Sequence, residues 1–197
     1  MKKVLVFLAL ALLLGLFIGC GKGVDVEGAR GAIDGIKAGM EDLKKAEKVI
    51  HVKSDVIVFE EALSEEIRGM AETVHLSTHG LEYLFPYMDA VVDKLTAYRE
   101  DPAKHRDEIL VLCGKLSSLV EAFRDMVKTK EFVSLMELPY PEKAPHEISH
   151  MLLENESVQK IGKTKEASSL VHNAMHDLED ALKGMELKIK ALIEALR

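Results

Sequence analysis

Tryptophan is absent from this chain, and aromatic residues of all kinds make up only 5% of it. Five prolines in 197 residues, with almost no alternation of apolar and polar side chains, leave little from which to build a sheet. Leu, Ala, Glu and Lys are abundant instead, and these are strong helix formers. Basic residues are outnumbered by acidic ones, 26 to 33. That balance argues against nucleic acid as a partner and against electrostatic adhesion to anionic headgroups. The signatures of hydrolytic and nucleotide chemistry are missing too. There is no GxSxG elbow, HExxH pair or phosphate-binding glycine loop, and Ser117-Ser118 and Ser168-Ser169 fall in helical stretches. No CxxCH attaches a haem. The expectation is an all-α protein that is not an enzyme.

What is present begins with location. Lys2 and Lys3 precede an apolar run from Val4 to Ile18, broken only by Gly15, and Cys20 follows Gly19 directly. A basic start, a short apolar stretch and small residues at the cut mark a secretory signal; a spanning helix needs ~20 apolar residues. Leu16-Phe17-Ile18-Gly19-Cys20 resembles the lipobox of bacterial lipoproteins, with Phe17 departing from the usual leucine. That resemblance covers only this segment. It implies cleavage before Cys20 and acylation of Cys20 as the new first residue, so that lipid holds the chain to a membrane. Gly21 in place of an aspartate implies outer-membrane sorting, with the body facing the periplasm, where the organism has two membranes. Residues 1–19 are then the signal peptide, 20–25 a lipidated tether and 26–197 a single helical-bundle domain.

The processed chain has 178 residues, and loss of Lys2 and Lys3 leaves 24 basic against 33 acidic ones, a net charge of −9. Cys113 is its one remaining thiol, so no intramolecular disulfide forms; its place beside Leu112 and Leu116 predicts a small buried apolar residue.

Apolar periodicity predicts four long helices in an antiparallel bundle. The first runs from about Val26 to Val52, with Ile33, Ile36, Met40, Leu43 and Ile50 on one face. Gly31, Gly35 and Gly39 recur on it, each costing ~1 kcal/mol against alanine, a row explained by close approach of a neighbouring helix. Lys53-Ser54-Asp55 reads as a turn. A second helix then reaches Tyr98, kinked at Pro86. The third spans about Ala103 to Glu137. Pro139, Pro141 and Pro145 form a stiff connector, and Pro145 opens a helix at His146. The last runs from about Lys163 to Arg197, with Leu170, Ala174, Leu178, Leu182, Met185, Ile189, Leu192 and Leu196 as its stripe.

Six of the eight histidines form three pairs of identical spacing: His75/His79, His146/His150 and His172/His176. Chance gives ~0.3 such pairs. On a helix, residues four apart lie one above the other, so each pair points two imidazoles at one spot. At ~100° per residue, all three pairs lie off the apolar stripes, which counts against a cofactor in the bundle centre. His172 and His176 share their face with Ser169, Glu179 and Lys183, and His75 and His79 lie alongside Glu72 and Glu82. His51, continuing the first stripe, reads as a capping or half-buried structural residue, and His105 as a residue near a helix start.

Two neutral imidazoles form a bidentate site for Zn, Cu, Ni, Co or Fe, and further ligands make it strong. His146 with His176 and His150 with His172 share a midpoint at position 161. A hairpin turning at Ile161-Gly162 therefore brings these four together at its rim. His150, Glu154, His172, Asp177, His75, His79 and His51 supply the ligand types of a hemerythrin-like di-iron bundle, but in swapped order, and Asp177 lies far around the helix from His176. Those departures set the chain apart from that family. The expected function is transition-metal binding through the histidine pairs, for scavenging, buffering or sensing, by a lipid-anchored extracytoplasmic protein. The alternative is a structural or adaptor lipoprotein that docks a partner protein or self-associates, its histidines on the surface.

Overall fold

Asp25 caps the first helix, its carboxylate accepting from the Gly28 amide at 2.9 Å. In the computed structural model, which describes residues 23–197, helix α1 spans Val26–Val58. The segment expected to be a signal peptide, and Cys20, lie outside the described residues. The helices that follow are α2 (Glu65–Glu82), α3 (Phe85–Ala97), α4 (Arg106–Lys128), α5 (Lys130–Leu135), α6 (Pro145–Glu154), α7 (Glu156–Lys160) and α8 (Gly162–Ala195). The described chain is helical without strands, as its composition implied. It has eight helices, not four.

Each departure has a local cause. Ser54 and Asp55 do not end α1, because the apolar stripe runs on to Ile57, which is fully buried with Ser54 beside it. Burial of that stripe outweighs a capping preference worth ~1 kcal/mol. Pro86 does more than kink the second helix. It sits in the first turn of α3, where its missing donor costs nothing, and Tyr83-Leu84 separates two helices. The third helix starts later than Ala103, at Arg106, and Thr129, in an extended conformation, divides it into α4 and α5. Pro145 opens α6 as expected.

Backbone and side-chain ties at the helix ends fix the directions. The Asp25 amide donates to the Ala195 carbonyl at 2.8 Å, so α1 begins where α8 ends. At the other end Lys163 reaches Glu60 at 2.6 Å. These two long helices are therefore antiparallel. Arg30 near the start of α1 donates to the carbonyls of Arg99 and Glu100, which brings back the end of α3. Arg106 donates to the Leu196 carbonyl and sets α4 against α8.

The glycine row is explained in two of its three positions. A Cβ at Gly39 would lie 2.5 Å from Met185 Cγ, and one at Gly35 would lie 2.8 Å from the Lys188 chain, so α1 and α8 pack closely there. Gly31 meets nothing. One continuous core includes Ile36, Leu43, Leu81, Phe123, Ile148 and Leu178, all fully buried. Cys113 belongs to it, and burial pushes its thiol up to about 11, which keeps it protonated and unreactive. Among the described residues, no helix is long and apolar enough to cross a membrane.

Candidate metal centre

The chain reverses between α6 and α8, but not through a tight hairpin at Ile161-Gly162. The short helix α7 is inserted, capped by Asn155, whose side chain accepts from the Ser157 and Val158 amides. Thr164 then donates to the carbonyls of Val158 and Ile161 at 2.7 and 3.0 Å, locking the start of α8 onto α7. The two arms remain antiparallel, so the shared midpoint near position 161 still decides which histidines meet.

They meet in the expected order. The rings of His146 and His176 have centroids 5.0 Å apart, and those of His150 and His172 are 4.4 Å apart. Across each pair, His146–His150 and His172–His176 are 4.9 and 4.7 Å apart. The four rings form a closed cluster at the seam of α6 and α8, beside the core and off both apolar stripes. The off-stripe faces of the two helices turn toward each other, so the histidines are neither central nor fully solvated. His146 is 21% exposed at its side chain.

Three of the four converge as ligands. His146, His150 and His176 bring ring nitrogens within 4.8 Å of one another. His172 packs edge-on against His150 and His176 without joining that set, and its Nδ1 is buried without a partner. The tightest contact is His146 Nε2 to His150 Nε2, at 3.1 Å. A tetrahedral ion with bonds of 2.0–2.1 Å holds its ligands ~3.3 Å apart, so this separation fits a shared ion with almost no movement. Two lone pairs cannot face each other at that distance. In the metal-free protein one of the two nitrogens must carry a proton, and an arriving ion would displace it.

Glu179 backs the cluster. Its Oε1 lies 2.8 Å from His146 Nδ1, off the line of a hydrogen bond, and its Oε2 is 2.9 Å from Lys128 Nζ. A carboxylate behind a ligating imidazole orients the ring and turns its other nitrogen's lone pair inward. Burial holds His146 below the ordinary histidine value of 6.5; the Glu179 charge opposes this, while His150, His176 and Lys128 reinforce it. Burial, with His150 and His176, lowers His172 as well. Both shifts favour the neutral, ligating form.

His75 and His79 are not part of this cluster. They face α1, where His51 joins them, with ring centroids 4.3 Å from His75 and 5.4 Å from His79. Asp55 Oδ1 lies 3.1 Å from His75 Nδ1, and Glu82 Oε2 lies 3.3 Å from His79 Nδ1. The sequence pattern made His51 a structural residue and Asp55 part of a turn, not members of a cluster. Their signal was the four-residue row Glu47, His51, Asp55, which became a continuous helical face only once α1 ran on to Val58. His105 stacks on Tyr98 at 4.2 Å, clear of both clusters. No protein-family model matches the chain, and neither does any curated protein or solved structure, so its chemistry rests on these residues.

Proposed function

We propose that this protein binds a transition-metal ion at the α6–α8 seam, with His146, His150 and His176 as ligands. The observation that carries this reading is the 3.1 Å approach of two imidazole nitrogens, with a third in reach. An all-nitrogen donor set suits Zn, Cu or Ni. Glu179 would orient His146, and His172 would pack the outer wall of the site. Three protein ligands leave a position open, and a site at a helix seam can load and release its ion. Scavenging, buffering or sensing needs that exchange. The lipobox-like segment supports acylation at Cys20 and anchoring in an extracytoplasmic compartment, where such a binder would meet incoming metal.

Calorimetry with Zn or Ni on the tag-free chain in detergent should give a histidine-dependent site. The variant His146→Ala/His150→Ala/His176→Ala should lose at least about 100-fold in affinity, since each deletion removes a bond to the ion. Equal affinity in the two proteins sinks the reading. For the anchor, Cys20→Ser should move the protein from the detergent phase to the aqueous phase, and continued detergent partitioning would contradict acylation there.

A further inference from the structure

Where α1 packs on α2, three histidines and three carboxylates gather apart from the α6–α8 cluster. Their ligand atoms fall into two sets, each within 4.8 Å: His51, Asp55 and His75, and His51, His79 and Glu82. Each set is two imidazoles and one carboxylate, and His51 belongs to both. The three rings form a triangle with centroid separations of 4.3, 5.4 and 6.3 Å.

Ordinary packing does not account for the group. His51 Nδ1 is buried and has no hydrogen-bond partner, and His79 Nδ1 is buried beside Glu82 but off the hydrogen-bond line. One turn before His51, Glu47 is only 4% exposed, and its Oε1 also lacks a partner. A buried carboxylate with an unmatched oxygen is unfavourable unless a proton or a cation meets it. Surface charge patterning would not bury these atoms.

We propose that the α1–α2 seam is a second metal site, which takes one first-row divalent ion through His51 and one of its two donor pairs, His75/Asp55 or His79/Glu82. Two imidazoles with a carboxylate and open positions are the donor set that non-haem Fe(II) uses, and Mn(II) and Co(II) accept it as well. The donor chemistry therefore differs from that of the all-histidine cluster. Neutral imidazole donates through one nitrogen, so His51 serves a single ion.

Co(II) titration of the full chain carrying His146→Ala/His150→Ala/His176→Ala tests this, because that background removes the other cluster. One Co(II) should remain bound, with the weak visible absorption of five or six ligands. Strong tetrahedral absorption, or no bound Co(II), overturns the proposal. Adding His51→Ala should weaken the remaining site at least tenfold. Asp55→Asn/Glu82→Gln should do the same while leaving the helical circular dichroism intact, since both carboxylates are 40% or more exposed. Binding unaffected by either change also overturns it. The wild-type and triple-variant titrations distinguish loss of the α6–α8 site from loss of this one.

Discussion

Lowering the pH from about 7.5 to about 5 should weaken metal binding at the α6–α8 seam by about 100-fold or more. Only neutral imidazole ligates, and an imidazole of ordinary pKa is about 3% neutral at pH 5, so each such ligand costs about 30-fold. His146 departs from this in the protective direction. Burial holds it below 6.5, so its neutral form survives to a lower pH than a free imidazole would allow. The fall should therefore be less steep than three independent ligands would give, yet still large. Calorimetry across that range measures it directly. Affinity that stays flat would mean that carboxylates, Glu179 first among them, carry the ion. The metal-free protein should respond in the same sense. With folded values of His146 and His172 lowered, the unfolded chain protonates first, so these two groups cost stability as pH falls below about 6.5.

Glu47→Gln should stabilise the metal-free protein at pH 8 by about 1–3 kcal/mol. Burial first, and then the Glu82 charge, pushes the Glu47 carboxyl up to about 7 from an ordinary 4.5. The folded protein thus holds a proton that the unfolded chain has released. Its stabilising contribution is complete below about pH 4.5 and is lost as pH rises through about 7. A neutral amide of the same shape removes that dependence. Chemical denaturation at several pH values should show the variant equal to wild type near pH 4.5 and ahead of it at pH 8. A variant less stable than wild type at pH 8 would mean that the Glu47 charge is compensated in the fold. The opposed signs for Glu47 and for the two histidines make the effects separable in one titration of stability against pH.

The α6–α8 cluster was legible because its geometry follows from symmetry. Two helical arms reversing about position 161 bring His146 to His176 and His150 to His172 whatever the form of the turn, and inserting α7 left that pairing unchanged. Its finer chemistry was not legible. Which three nitrogens converge, and that His172 stands aside, depends on ring rotations set by packing. The α1–α2 cluster was half legible. His75 and His79 announced themselves by spacing, but the break expected at Lys53-Asp55 put His51 at a helix end, where it looked like a cap. The actual break, at 59–64, carries the face on to Asp55 and sets it opposite α2.

The sequence by itself determined the helical class, the apolar stripes, the histidine spacing and the acidic balance, because these depend on local propensity and on a period of 3.6 residues. Tertiary structure decided where the helices break and which polar faces meet. Burial of Ile57 and Ser54 carried α1 past its cap signal, and the close approach of α1 to α8 at Gly35 and Gly39 fixed their alignment. Such choices turn on burial energies summed over contacts far apart in the chain, which no local pattern encodes.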